Sequence, residues 1–418
     1  MPQDPVAWLY ALQSHGIKLG LDGIRGLLAV LGHPERAYPI ALVGGTNGKG
    51  STAAMLDAML AAHGVRSGLY TSPHLVRPNE RVRVAGADIP DADLGRALDA
   101  VRRACEQGLV AGSLKAHPSF FEVMTAVALH VFRETGVRAA ILEVGLGGRL
   151  DATNATDPAV AAIVTVDLDH TATLGSSFAA IAREKVGIAR AGRPLVSGVS
   201  MPEAVQVLRE RCRELGAPFV DARTAHLPSG VRLALDGAHQ RDNARVAVAT
   251  LEAFAPAIGV AVDPSAVRRG LETVRWPGRL QWLPGAPAIL LDGAHNAAGT
   301  ASLAAHLGYR GGPKPVLLFG AMADKDLAGM IAPLAPHVAA LVATRPAVTR
   351  AAESREIADL ARAAGVPSWE EPVPERALER ARGLAGPGGV VLVAGSLYLI
   401  GEILGVLETG NVPGPVPM

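Results

Sequence analysis

Cysteine is nearly missing: the 418 residues hold two, Cys105 and Cys212. They lie far apart and make neither a CxxC pair nor a zinc spacing. That excludes a disulfide framework and leaves both as expected small hydrophobes in a reducing cytoplasm. An excess of one charge is missing as well. Lys+Arg is 40 and Asp+Glu is 39, a net charge of +1. Bulk attraction to nucleic acid or to an anionic membrane is thereby excluded. The opening MPQDPVAWLYALQSHG has no basic segment followed by a long apolar one, so no signal peptide is expected. Long apolar runs are absent. The longest uncharged stretch, Gly383–Gly401, is interrupted by Pro387 and several glycines, whereas a membrane span needs ~20 apolar residues without such breakers.

What is present is the composition of a folded chain, 49% apolar. At ~150 residues per domain, two or three domains are expected. Apolar, β-branched runs alternate with Ala/Leu-rich segments of helical spacing. The expected strands are Pro39–Val43, Arg138–Val144, Ala159–Val166, Ala288–Leu291, Pro315–Gly320, Val338–Ala343 and Val390–Ala394. Most are continuously apolar, as strands covered on both faces are, so an α/β fold with mostly parallel sheets is predicted. Ser51–His63 and Ala92–Gln107 read as helices. The clearest break is Trp276-Pro277-Gly278-Arg279-Leu280 followed by Leu283–Pro287, where two Pro/Gly clusters disfavour regular structure. It divides the chain into an N-terminal domain, 1–280, and a smaller C-terminal α/β domain, 284–418. The tail Asn411–Met418 is expected to fray. Asp-Gly-Ala-His occurs at Asp236–His239 and again at Asp292–His295; the flanks differ, and no internal repeat is inferred.

The strongest chemical signal is Ala41-Leu42-Val43-Gly44-Gly45-Thr46-Asn47-Gly48-Lys49-Gly50-Ser51-Thr52. An apolar strand enters a glycine-rich turn, then a lysine and two hydroxyls, with a helix expected from about Thr52. Glycines let successive N–H groups point into one hollow, and a helix N-terminus adds positive partial charge, which suits phosphate. Lys49 is placed to reach β- and γ-phosphates and Ser51 to ligate Mg²⁺. The match to the general phosphate loop is imperfect: Val43 stands where glycine is usual, and Gly50 stands where a hydroxyl is usual.

Two further strands end in polar groups. Glu143 closes the strand before Gly145-Leu146-Gly147-Gly148-Arg149-Leu150-Asp151. A carboxylate at that end is costly unless it meets a cation, and ligands bind at that end of parallel sheets. Glu143 is a candidate Mg²⁺ ligand, with a salt-bridged or capping carboxylate as the competing reading. The next strand runs into Asp167-Leu168-Asp169-His170, which makes His170 a candidate second metal ligand. Lys185, in Ile181–Ile188, reads locally as a solvated helix lysine.

Together, GGTNGKGST, TSPHL with NERV, EVGLGGRLDATN, DLDH, IAREKVGI, WPGRL, DGAHN, MADKD and GSLYLIGE resemble the folylpolyglutamate synthase/dihydrofolate synthase family of the Mur ligase superfamily, over about Val43 to Glu402. The resemblance implies a phosphate-loop ATPase domain followed by a smaller Rossmann-like domain. It implies ATP-dependent joining of L-glutamate to dihydropteroate or a folate through an acyl phosphate, with domain closure over the site. The competing readings are another Mur-type amino-acid ligase and a phosphate-loop binding module or kinase. Only 43 residues precede Gly44, too few for the UDP-sugar domain that a cell-wall ligase needs.

Residue by residue, the resemblance assigns Gly45, Thr46, Asn47, Gly48, Lys49, Gly50 and Ser51, together with Arg279, to the nucleotide phosphates. It assigns Thr52 and Asp292 to the nucleotide site, with a helix cap as the competing reading of Asp292, and Asn243 to the adenine side. Ser51, Glu143, His170 and Lys185 match ligands of two Mg²⁺ sites, with Lys185 carbamylated. Lys49, Lys185, His170, Asp292 and His295 match catalytic positions. Ser72, His74, Arg81, Phe121 and Ser396 are the expected substrate contacts. For Arg81 the competing reading is the solvated face of a strand, for His74 a structural hydrogen bond, and for Phe121 a core aromatic. A monomer without nucleic-acid or membrane partners is expected.

Overall fold

The computed structural model describes residues 4–15 and 20–409; the expected fraying of Asn411–Met418 lies outside them. The described chain forms two sheets. The first has eight strands in the order β4-β3-β2-β5-β1-β6-β7-β8. These are β1 (Ile40–Gly44), β2 (Ser67–Tyr70), β3 (Val82–Val84), β4 (Ala87–Asp88), β5 (Ala139–Glu143), β6 (Val160–Ile163), β7 (Leu195–Ser197) and β8 (Phe219–Asp221). From β2 to β8 every pairing is parallel, and β3 and β4 turn back antiparallel at one edge. The second sheet runs β13-β12-β11-β14-β10-β9, with β9 (Gln281–Leu283), β10 (Ala288–Leu291), β11 (Val316–Phe319), β12 (Ala340–Ala343), β13 (Ser368–Glu370) and β14 (Val390–Ala394). Only β9 is antiparallel there. The expected α/β architecture with mostly parallel sheets is what the chain adopts.

Burial explains the continuously apolar strands. In β1, Ile40 and Leu42 face one apolar cluster, which includes helices Asp22–Val30, Phe120–Glu134 and Phe178–Val186. Ala41 and Val43 face another, with helices Lys49–Ala62 and His239–Ile258. The second sheet repeats the arrangement: Leu290 points to one side and Ile289 and Leu291 to the other. A strand with no solvent face shows no polar alternation.

Two expectations change. The interval left without regular structure, 281–283, is the edge strand β9, paired with β10. Hydrogen bonding to a neighbour overrides the Pro/Gly flanks, because the breakers sit outside the paired residues. The helix after the glycine loop begins at Lys49, not Thr52. Gly48, with φ +80°, makes the turn and leaves Lys49 as its first residue.

The parallel arrangement positions the site. β2, β5, β1 and β6 are consecutive neighbours, so their carboxyl ends open side by side. The corresponding ends of β11, β14 and β10 do the same in the second sheet. The Thr71–Pro78 segment joins the two halves: Leu75 packs with Ile289, Leu399, Ile400 and Leu404 of the second sheet's cluster. Glu80 fixes that segment by accepting hydrogen bonds from the backbone N–H groups of Leu75 (2.7 Å), Val76 (2.8 Å) and Arg77 (2.7 Å).

Candidate active site

The strand ends of both sheets line one cavity of about 470 Å³. Its wall includes the loop from Gly45 to Ser51, Ser72, Glu143, His170, Lys185 and Asn243 from the first half. Asp292, His295 and Ser396 come from the second, and Arg279 from the segment that crosses between them.

The loop is held open from behind. Gly45 has φ +148°, and a Cβ there would lie 3.1 Å from the Thr165 nitrogen. Thr46 N–H donates to the Thr165 carbonyl at 2.9 Å, and Asn47 N–H to Thr165 Oγ1 at 2.9 Å. At Gly48, a Cβ would lie 2.3 Å from Asn243 Oδ1, so the helix carrying Asn243 closes on the turn. Lys49 Nζ folds over its own loop, donating to the carbonyls of Gly45 (3.1 Å) and Thr46 (3.0 Å). Desolvation lowers the Lys49 pKa, opposed chiefly by the carboxylates of Glu143 and Asp169. Burial raises that of Glu143, opposed most by Lys49. Glu143 Oε2 accepts from Ser72 N–H at 3.1 Å, and Ser51 Oγ accepts from Gln240 Nε2 at 3.4 Å.

Lys185 is 3% exposed. Burial, and secondarily the Lys49 ammonium, bring its pKa down to about 7. A buried amine that titrates near neutrality is partly deprotonated at neutral pH, and the neutral amine is the nucleophile that attacks CO₂ in carbamylation.

The two halves meet through polar groups. Asn296 Nδ2 donates to Asn47 Oδ1 and to Asp169 Oδ2, each at 2.9 Å. Lys325 Nζ lies 2.5 Å from Asp169 Oδ1 and 3.5 Å from His170 Nε2. Burial pushes the Asp169 carboxyl up, but the charge and hydrogen bond of Lys325, with His170 and Asn296, hold it well below the usual range. Asp292 accepts from the backbone N–H groups of Leu280 and Ala294, both at 3.0 Å. The first bond offsets an unfavourable left-handed Leu280, φ +45°, a conformation that costs a branched residue ~1–2 kcal/mol. Burial raises the Asp292 pKa, opposed first by Arg279. His295 is driven down to about 4 by burial, and its Nδ1 lies 2.8 Å from the Gly293 carbonyl.

Four expected contacts fall outside the cavity wall. His74 and Arg81 are each 2% exposed and bond to one another: Arg81 Nε donates to His74 Nδ1 at 2.7 Å. The guanidinium lies 5.0 Å from the Phe120 ring centroid. This pair is interior structure, with the His74 pKa pushed down to about 2 by burial. Phe121 stands behind Gly145, where a Cβ would lie 2.6 Å from its Cζ. Thr52 is fully buried in the helix. Conversely, Lys325, Arg350 and Tyr398 line the cavity without having been singled out. Lys325 stands in MADKD and Tyr398 in GSLYLIGE, so the motifs pointed to the right segments.

The residues fit a hard cation held mainly by substrate. Among the described residues no three His, Cys, Asp or Glu side chains form a metal-holding group. Ser51 and Glu143 supply oxygen beside the phosphate loop, which suits Mg²⁺, an ion that completes its shell with phosphate and water. Among the described residues no helix is long and apolar enough to cross a membrane.

Residues 278–397 match the family model described as Mur ligase, glutamate ligase domain. The chain is 38% identical over 425 residues to a Haloferax volcanii protein named probable bifunctional folylpolyglutamate synthase/dihydropteroate synthase, covering 96% of this chain and 50% of that one. It therefore spans about half of that relative's length. A Bacillus subtilis protein named dihydrofolate synthase/folylpolyglutamate synthase is 33% identical over 424 residues, 96% of this chain and 98% of that one. The fold superimposes on E. coli FolC solved with DHPP and ADP, with a TM-score of 0.86 and 30% identity over 98% of this chain and 100% of that one. A Yersinia pestis bifunctional folylpolyglutamate synthase/dihydrofolate synthase solved with AMPPNP and a Mn ion gives 0.84 and 31%, over 98% and 100%.

Proposed function

Because the chain belongs to the folylpolyglutamate synthase/dihydrofolate synthase family of the Mur ligase superfamily, we infer that it joins L-glutamate to dihydropteroate or a folate, with ATP converted to ADP and phosphate. The observation that carries this reading is convergence. A lysine-bearing phosphate loop, Glu143 at a strand end and Lys185 on a helix of the first half, Arg279 from the crossing segment, and Asp292 and His295 after a strand of the second half share one cavity.

A free carboxylate is a poor acyl donor, because its departing group would be oxide; phosphorylation supplies a leaving group. The loop N–H groups and Lys49 bind the triphosphate and oppose repulsion between its oxygens and the incoming carboxylate. Arg279 adds a cation from the crossing segment, where it faces Asp292. Ser51 and Glu143 would hold one Mg²⁺, and His170 with carbamylated Lys185 a second; the ion contributes positive charge against the transferring phosphoryl group. Carbamylation would turn Lys185 from a cation into an oxygen donor. Asn243 lies on the nucleotide side of the loop. The acyl phosphate is then attacked by the neutral α-amine of glutamate, whose carboxylates meet Lys325, Arg350 and Ser396. His295, neutral at physiological pH, accepts or donates a hydrogen bond without adding charge. Ser72, held against Glu143, borders the pteroate end, and Phe121 supports that wall through Gly145. The protein is expected to act as a monomer.

ADP release measured with ATP, Mg²⁺ and glutamate, with and without dihydropteroate, tests the reading. Release that requires both acceptor and donor is expected; dihydropteroate-independent turnover contradicts it.

A further inference from the structure

Gly50 is the position at which the loop departs from the usual lysine-then-hydroxyl order, and the reaction above does not itself call for glycine there. Its surroundings supply a reason. A Cβ on Gly50 would lie 3.0 Å from Nε1, 3.2 Å from Cζ2 and 3.3 Å from Cε2 of Trp276. Separations in this range are tighter than nine in ten real Cβ contacts. Within a helix alanine is otherwise favoured over glycine, so the missing side chain reads as clearance for the indole.

Trp276 occupies a junction. It packs with the apolar cluster on the phosphate-loop side of the first sheet, whereas Leu280 already belongs to a cluster of the second. Arg83 stands over its ring at 5.8 Å. Three residues after Trp276 comes Arg279. Its guanidinium lies across Gly293, where an added Cβ would strike it, and it faces Asp292 on one sheet and Glu143 on the other. The indole is thus a fixed point between the loop and the arginine.

We propose that Trp276 is a positioning residue: seated on the bare backbone of Gly50, it sets the crossing segment so that Arg279 reaches the phosphates held by the loop. The proposal rests on the ligase reading, which makes that loop the nucleotide site.

The test is a double-mutant cycle of Gly50→Ala and Trp276→Leu, read by steady-state kcat and by ADP affinity from calorimetry. Gly50→Ala is expected to lower kcat at least about tenfold and to raise the ADP Kd at least about threefold, since the displaced arginine no longer meets the phosphates that the loop N–H groups hold. In the Trp276→Leu background the same substitution is expected to cost at least about fivefold less, the signature of direct coupling. An equal loss in both backgrounds overturns the proposal, because the new Cβ then meets something other than the indole. Undiminished kcat in Gly50→Ala overturns it too. Should Gly50→Ala fail to fold, Trp276→Leu decides alone: a kcat at least about tenfold lower is expected, and undiminished kcat refutes the proposal. If ADP does not bind the parent protein, the ligase reading fails first and the proposal falls with it.

Discussion

Lys185 should carry CO₂ in a pH-dependent way. Its pKa falls from 10.5 to about 7, a penalty of order 5 kcal/mol on the ammonium at ~1.4 kcal/mol per unit. At about pH 7.5 roughly three quarters of the amines are neutral, against about one in a thousand for an ordinary lysine. Carbamate formation consumes that neutral amine. In ¹³C-bicarbonate, a protein-bound carbamate resonance should therefore appear as pH rises through about 7 and be missing in Lys185→Met. The shift is also a stability term. The folded pKa is depressed, so between about pH 7 and 10.5 the unfolded chain binds a proton that the folded chain does not. Stability contributed at this site rises with pH across that window, and the whole penalty is present below it. Lys185→Met should accordingly raise the denaturation midpoint at about pH 6 more than at about pH 9.5. No carbamate at pH 8, or a midpoint above pH 9, would refute the reasoning.

Lys49→Ala and Glu143→Ala should each nearly abolish turnover; retention within about tenfold of normal kcat, ~1.4 kcal/mol of barrier, would show that the phosphate assignment is wrong. Lys325→Met strands a buried Asp169 between the two halves and should cost about 3–5 kcal/mol, seen in urea unfolding; a cost below about 1 kcal/mol would mean the pair is solvated. Gly45→Ala places a Cβ 3.1 Å from the Thr165 nitrogen at φ +148°, so nucleotide affinity should fall at least about tenfold, ~1.4 kcal/mol, in calorimetry.

Much of this was legible in the chain because the relevant physics is local. The two-sided burial of β1, β5, β6 and β14 leaves a continuous apolar trace, and the glycines at 45 and 48 stand where the backbone needs positive φ. Other elements left little trace. Strand β2 contains Gly68, whose missing side chain admits the Phe132 ring, and β7, β8 and β13 have three residues each, too few for a period to emerge. Side-chain direction was the other gap. Arg81 reads as an exposed or ligand-facing cation until the short turn Pro78–Arg81 ahead of β3 sets it inward onto His74 and Phe120. Lys325, one charged residue among three in Asp324–Asp326, has no local pattern that marks it, and the second sheet carries it to Asp169. Both outcomes depend on contacts between segments far apart in sequence.

The acyl-phosphate step is the centre of the account, and oxygen labelling tests it directly. Dihydropteroate with ¹⁸O in its carboxylate, turned over with ATP, Mg²⁺ and glutamate, should pass one labelled oxygen to the inorganic phosphate for each amide formed. Unlabelled phosphate accompanying amide formation would mean that the carboxylate never attacked the nucleotide, and the account would be wrong.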